Sequence, residues 1–504
     1  MAIYTFSPFG YEGSIVTVEV DLRKGIPAVD IVGIADGAVK ESRERMISAI
    51  KNSGFEFPSE RVLISLSSCD LKKEGAGFDL PTALAVLKES KNISVKRDFI
   101  VLGELELNGN ARPVRATYTA LQTALKNGIE YAIIPDGSEV IPEGMKVARV
   151  KTLKDAVYVL ENYAEYPELF KEEKTMTTTE ETKIEFGDIP ENNLDSIEGH
   201  NGLKYSMAVA VAGRHNLLAY GRPGCGKTMV LQHMSELMPK LLPEESQSVT
   251  RIHSIAGLLN PNEGFKTVRP FRMPHQTASI EGMCGGGVNC RPGEISLAHN
   301  GVLFLDEAAE FKTSVLQMLR VPLESNFITL CRAGRSTVYP ARFQLVMATN
   351  PCPCGNYGSE DKICLCSAKS IELYWRKFSG PLLDRISIRF NVEDDEYSGD
   401  DYSLENLRRR IKTAWERQYK RQGKLNQDLN PQEVADYIKT TDGVKNELLN
   451  LNLSVRATTN ILKLARTIAD MNDIEEAEVI TERHLDMALQ IRGRLPELVE
   501  SMGF

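Results

Sequence analysis

The chain has 504 residues, 42% of them apolar and 26% charged, with a formal net charge of −9. That length exceeds one hydrophobic core and predicts roughly three or four domains, while the ordinary composition excludes wholesale disorder and a collagen-like fibre. The acidic balance excludes a protein that coats nucleic acid over its whole surface, because such proteins concentrate Lys and Arg against phosphates; a small basic channel is compatible with it.

Residues 1–165 alternate β-rich runs (14–21, 61–67, 99–107) with helical patterns (39–51, 80–87), which predicts a compact α+β unit. The opening residues lack the basic start and apolar run of a secretory signal, and no apolar stretch is long enough to span a bilayer. A cytoplasmic chain without membrane contact is expected. Residues 166–190 are rich in Lys, Glu and Thr with few apolar side chains, too polar to bury a core, and read as a linker. Over residues 191–394 the short continuous hydrophobic runs 216–220, 301–305 and 343–348 suit strands covered on both faces, as in a parallel sheet. Residues 395–504 are helical in pattern (404–422, 431–440, 454–472, 481–492), with Asn430 as an N-cap before Pro431. The fold class expected is α/β multidomain.

The run 216–220 leads into Gly221, Arg222, Pro223, Gly224, Cys225, Gly226, Lys227 and Thr228, and then into a helical pattern. This is the strand, loop, helix order of a P-loop. Its glycines let backbone N–H groups face phosphate oxygens, Lys227 reaches toward the β- and γ-phosphates of ATP, and Thr228 offers a hydroxyl to Mg²⁺. A second strand ends in Asp306 and Glu307, suited to position Mg²⁺ through water and to polarise the attacking water; the alternative is that the pair only caps a helix over 308–320. Asn350 closes a third apolar strand, where its amide suits orienting the same water. Arg385 follows a loop and suits a charge supplied to a neighbouring subunit's γ-phosphate.

Cys352 and Cys354, then Cys364 and Cys366, form two Cys-x-Cys pairs across a short polar loop. Four thiolates there suit a structural Zn²⁺ site, with free thiols as the alternative and disulfides disfavoured in a reducing compartment. Cys284 and Cys290 are assigned no metal, and His215, His253, His275 and His299 lack metal-ligand spacing. Arg408, Arg409, Arg410, Lys412 and Arg417 read as a solvated helix face, with a DNA-facing patch as the alternative.

The stretch from Cys284 through Gly285-Gly286-Gly287, Arg291-Pro292-Gly293-Glu294 and Asn300-Gly301 to Asp306-Glu307 resembles the magnesium-chelatase-like AAA+ proteins, and within them the ComM/YifB family. The likeness runs from Ser7-Pro8-Phe9-Gly10 to Ser454-Val455-Arg456 and the closing helix at Arg492. It implies a Lon-protease-like (ribosomal S5 domain 2-like) N-terminal domain, an AAA+ ATPase core and a helical C-terminal lid. It further implies a homo-hexameric ring with ATP and Mg²⁺ at subunit interfaces, Arg385 acting in trans, and Arg456 as the sensor-2 arginine, in cis or in trans. A helix-2 insert falls over 257–300 and a pre-sensor hairpin over 329–341, where Arg332 and Arg335 are placed to grip a DNA backbone or to stand as solvated turn residues. Gln276 departs from the family pattern, which often carries a second His there. Gly77 and Tyr118 occupy the positions of the Lon-type serine and lysine, so the first domain is expected to be non-proteolytic and to bind DNA or stabilise the ring. The activity implied is an ATP-driven DNA translocase or helicase promoting branch migration in recombination or natural transformation. Its partners would be single-stranded or branched DNA and other recombination proteins. The alternatives are a remodelling motor resembling the magnesium-chelatase motor subunit and, least favoured, an ATP-dependent protease.

Overall fold

Strands Ser14–Arg23 and Arg61–Ser67 bury alternate side chains, as a half-covered sheet requires, and they pair antiparallel with Val18 opposite Leu66. They belong to an eight-stranded sheet in the order Lys171–Glu172, Lys146–Val150, Tyr131–Pro135, Phe99–Val101, Ile3–Ser7, Ser14–Arg23, Arg61–Ser67 and Val29–Val32. The computed structural model describes residues 2–32, 37–67, 76–91, 93, 95–172, 183–260, 263–332, 334–359, 362–393, 401–451, 453–472, 478–493 and 495. Helices Gly37–Asn52, Asp79–Ser90 and Leu153–Asn162 cover the sheet, and Ile50, Leu84, Leu87 and Leu160 are fully buried with Val62, Ile64 and Phe99. The expected strand over 99–107 is broken. Gly103 takes φ +150°, and Glu104–Leu105 pairs with Ala111–Arg112 in a separate ribbon. Phe170 packs 5.3 Å from Tyr131, and Lys171–Glu172 adds an edge strand, so the first sheet extends to Glu172. Residues 173–182 of the expected 166–190 linker lie outside the described residues, as do 73–75 beside Gly77 and the expected boundary at 394–395.

The second sheet has five strands in the order Phe271–Arg272, Val302–Leu305, Gln344–Thr349, Leu217–Tyr220 and Ile388–Asn391, all parallel. Every side chain of Leu217–Tyr220, Val302–Leu305 and Gln344–Thr349 is buried, which is why these strands read as unbroken apolar runs. Helix Asn201–Gly213 and the long helices Leu404–Gln422 and Val455–Met471 cover one face through Leu203, Val211, Leu407, Ile411 and Leu464.

The helices of the C-terminal third start on side-chain caps. Ser403, Asn430 and Ser454 each accept the N–H three residues on. The expected helix over 431–440 stops at Tyr437, because Lys439–Thr440 pairs with Val479–Ile480. The basic run at 408–417 is not a uniformly solvated face. Arg408 donates to the carbonyls of Glu236 (2.8 Å) and Gly187 (2.9 Å), Arg410 lies over the Tyr205 ring, and Arg417 donates to Asp470 O at 3.0 Å; the long helix uses these cations to fasten itself down. Fully buried Asp470 receives two N–H bonds of 2.8 Å from Arg421 and two, of 2.6 and 3.0 Å, from Arg466.

The N-terminal unit is clamped to the parallel-sheet unit. Gly10 N donates to Asn289 O and Tyr11 N to Thr337 Oγ1, both at 2.9 Å. Arg251 stacks 4.3 Å over the Tyr11 ring, and Tyr118 meets Phe265 edge-on at 5.4 Å. Buried Glu139 accepts from Tyr118 N at 3.1 Å and from the Ser254 hydroxyl. One hydrophobic cluster runs across the junction from Ile100, Leu121 and Ile134 to Leu303, Leu345 and Tyr339. Among the described residues no helix is long and apolar enough to cross a membrane.

Candidate functional site

The P-loop residues lie at the C-terminal tip of strand Leu217–Tyr220, and helix Lys227–Leu231 follows. Gly226, at φ +83°, forms the left-handed entry to that helix, and a Cβ there would stand 2.7 Å from the His200 ring. Lys227 is 8% exposed and its ammonium donates to the carbonyls of Gly221 and Arg222, each at 2.7 Å, and to Asn350 Oδ1 at 3.3 Å. Cys225 Sγ lies 3.6 Å from the same nitrogen. Arg222 is held from outside the loop: its backbone N and its Nε meet Glu393 Oε1 at 2.7 and 2.9 Å.

Thr228 Oγ1 donates to Asp306 Oδ1 at 2.9 Å, so the hydroxyl and carboxylate assigned to one Mg²⁺ already face each other. Their oxygen-rich pairing fits a hard cation. Glu307 takes φ 47° and ψ 48° and caps nothing with its side chain. The chain after it forms a single tight turn, Ala308–Glu310, then a short helix, Thr313–Met318, instead of one helix over 308–320. Buried Phe311, in extended conformation, interrupts it. The capping alternative for Asp306 and Glu307 is thereby corrected. Asn350 leaves the strand lying between the P-loop strand and the Asp306 strand, so the sheet order itself brings Lys227, Thr228, Asp306 and Asn350 to one tip.

Arg385 and Arg456 lie elsewhere. The carbonyl of Arg385 accepts from Asn216 Nδ2 at 2.8 Å, and Asn216 precedes the first residue of the P-loop strand. Arg385 therefore sits at the N-terminal edge of the parallel sheet, and the P-loop at the C-terminal edge, about 13 Å away along a four-residue strand. Arg456, in the first turn of helix Val455–Met471, shares that edge, since Asn460 Nδ2 donates to Asp384 O at 2.9 Å. Both guanidinium groups meet on Glu324: Arg385 on Oε2, and Arg456 on Oε1 at 3.1 Å. The hydrogen bond from Arg385, and then its charge, hold the Glu324 carboxyl below the usual range.

The hairpin pairs Phe327–Arg332 with Arg335–Pro340. Arg332 is exposed near its tip, whereas Arg335 is half-buried with its guanidinium 5.5 Å from the Phe9 ring of the N-terminal unit. In that unit, Gly77 faces Val114, whose Cγ1 would lie 3.7 Å from a Cβ added at the glycine, and the Tyr118 phenol accepts from Gln122 at 2.7 Å. Gly77 thus brings no serine hydroxyl and Tyr118 no lysine amine.

The four cysteines Cys352, Cys354, Cys364 and Cys366 converge, with their sulfurs all within 4.8 Å of one another; among the described residues this is a group able to hold a metal ion. Backbone donation from Asn356 pulls the Cys354 thiol down to about 6, while burial pushes Cys352 up. Sequence reasoning missed Glu324 and Glu393. Each is an acid in no motif, and only the fold brings it to an arginine.

A parallel sheet with a P-loop at one strand tip and an Asp-Glu pair at another defines a P-loop nucleotide-binding core. Residues 193–399 match the family described as magnesium chelatase, subunit ChlI; residues 18–138 match subunit ChlI of Mg-chelatase, and residues 402–492 its ChlI C-terminal family. The chain is 35% identical over 506 residues to the uncharacterized protein YifB of Escherichia coli, covering 97% of this chain and 96% of YifB. It is equally 35% identical over 506 residues to competence protein ComM of Haemophilus influenzae, covering 97% of each. A shorter match, 28% identical over 128 residues, relates 25% of the chain to 28% of DNA repair protein RadA of Haemophilus influenzae. The chain belongs to the magnesium-chelatase-like AAA+ family that includes YifB and ComM.

Proposed function

We propose that the protein is an ATP-driven motor that works as a ring, with DNA as its track. In its working form a homo-hexamer hydrolyses Mg²⁺-ATP at subunit interfaces and drives branch migration of recombining DNA. The observation that carries this reading is the position of Arg385 and Arg456, together on Glu324 at the sheet edge opposite their own P-loop. A guanidinium on that edge is too far from its own γ-phosphate to serve it, but a neighbouring copy packed there would bring its own phosphate within reach, so the site is complete only between copies. On this reading Arg456, like Arg385, acts in trans.

Within each site, Lys227 would leave the carbonyls of Gly221 and Arg222 for the β- and γ-phosphates. Thr228 and Asp306 would hold Mg²⁺, and Glu307, with Asn350, would orient the attacking water. The magnesium ion supplies charge neutralisation between the phosphates. DNA as the track rests on the relatives named for competence and DNA repair and on exposed Arg332 at the hairpin tip. Arg335, stacked on Phe9, would brace the hairpin more than grip a phosphate.

The test is ATPase rate with single-stranded, duplex and four-way DNA, alongside migration of a branched substrate. Stimulation and migration by the wild type, both lost in Lys227→Ala, are expected. A wild-type oligomer that hydrolyses ATP but neither binds DNA nor responds to it would overturn the DNA track. A second reading, a protein- or metallocofactor-remodelling motor, is favoured by the chelatase description of all three matched segments, the first 18–138 included. Co-purification of a partner carrying a metal-binding domain, without DNA stimulation, would select it.

A further inference from the structure

We propose that the four-cysteine loop binds one Zn²⁺ and that this ion fixes a wall of the nucleotide cavity, making ATP affinity depend on metal occupancy. The proposal rests on the ATPase reading above.

The sulfur geometry comes first. Cys352 Sγ lies 3.4 Å from Cys354 Sγ and 3.7 Å from Cys364 Sγ, and Cys354 Sγ lies 3.6 Å from Cys364 Sγ. Zn–S bonds of about 2.3 Å in a tetrahedron place sulfurs about 3.8 Å apart. The spacing is thus close to that of a mononuclear site and far too long for disulfides, whose sulfurs stand about 2 Å apart. Binding would release the thiol protons to solvent, since the ligands are thiolates. Four such ligands close the coordination shell, which assigns the ion a structural task.

The two ends of the loop are held differently. Ile363 and Leu365, which flank Cys364, are 83% and 88% exposed, and it is the partly buried Cys364 and Cys366 that pack toward the core. Its other end is rigid: Trp375 Nε1 donates to Pro351 O at 3.0 Å, and Cys352 is buried. A metal ion would tie the Cys364–Cys366 end, whose flanking side chains are exposed, to the end anchored at Pro351.

The fixed end is continuous with the nucleotide site. Asn350, which meets the Lys227 ammonium, is two residues before Cys352. Gly355, at φ +79°, turns the loop directly against the P-loop, and a Cβ there would lie 2.5 Å from Pro223 Cγ and Cδ. Arg222 Nη1 donates to Ser359 Oγ at 3.1 Å. Between the two loops lies a cavity of about 460 Å³ lined by Arg222, Pro223, Gly224, Cys354, Asn356 and Lys362. One wall is the P-loop and the other is the cysteine loop, with Lys362 adding a cation suited to a nucleoside triphosphate.

The experiment uses the full-length assembled protein, with zinc measured by mass spectrometry and binding of a fluorescent ATP analogue by titration. Wild type should carry one zinc per chain. Cys354→Ser and Cys366→Ser should lose it and bind the analogue at least tenfold more weakly, with circular dichroism unchanged. Gly355→Ala and Lys362→Ala should retain zinc yet bind the analogue several-fold more weakly, which separates the wall from the metal. Absence of stoichiometric zinc in wild type overturns the site. Zinc-free, folded variants with unchanged affinity overturn the coupling. Lys227→Ala should keep its zinc while losing the analogue. A zinc-loaded wild type that binds no nucleotide would instead overturn the ATPase reading, and the coupling with it.

Discussion

Arg385 and Arg456 close on opposite oxygens of one exposed carboxylate, Glu324, although they come from different elements of the chain. Glu324 is 60% exposed in its side chain, and ion pairs at such sites contribute at most about 1 kcal/mol. The arginines are therefore held in place but easily surrendered to a stronger anion. Arg385→Ala should lower ATP turnover by about a thousandfold, within the range of arginine-finger losses. Mixing that variant with Lys227→Ala subunits should restore hydrolysis above either alone, because the intact P-loop of one then faces the intact arginine of the other. No recovery in assembled mixtures would place the arginine in cis.

Glu307→Gln should keep ATP affinity within a few-fold while turnover drops by about 100-fold or more, the scale of a lost general base. The amide preserves the shape of the left-handed residue after Asp306 but cannot polarise water. Equal loss of binding and turnover would assign Glu307 a structural role.

Stability should fall on acidification before the ordinary carboxylates titrate. Burial depresses His215 and His299 to about 3 and His253 to about 4, from an ordinary value of 6.5. Each stays neutral in the fold while its unfolded counterpart takes a proton below 6.5. The stability they contribute is whole above 6.5 and declines as pH falls through 6.5 toward 4 for His253 and toward 3 for the others. Each can contribute up to about 1.4 kcal/mol per pH unit in that window. Urea midpoints at about pH 7, 6 and 5, spanning the onset of histidine protonation, check the slope. His215→Gln should flatten it, and a midpoint independent of pH would contradict it.

Asp470→Asn should destabilise by about 3–5 kcal/mol, because it leaves the Arg421 and Arg466 charges in a buried site without their anion. Thermal melts with a lid-specific probe check this, and an unchanged melting temperature would remove the proposed anchoring role.

Much of the nucleotide tip was legible in the sequence. The strands that lead into the P-loop, Asp306 and Asn350 are buried on both faces, so they appear as unbroken apolar runs whose ends mark the tip directly. The long lid helices were equally plain, since Ser403 and Ser454 are N-caps and the apolar residues recur at helical spacing. What the sequence concealed depends on tertiary partners. The break at Gly103 depends on a second ribbon, and the stop at Tyr437 on pairing with residues far along the chain. Arg408 reads as solvated until Phe186 and Gly187 are seen beneath it. Glu324 carries no motif, and its proximity to two arginines arises from three separate elements.

The clamp of Gly10 and Tyr11 onto Asn289 and Thr337 bears on how force would travel. A hairpin sewn by its own strand to another domain cannot swing as an independent finger. If the proposed motor works through Arg332, its stroke would carry the eight-stranded sheet as a heavy lever arm, and stiffness at this seam would set how faithfully hydrolysis became displacement.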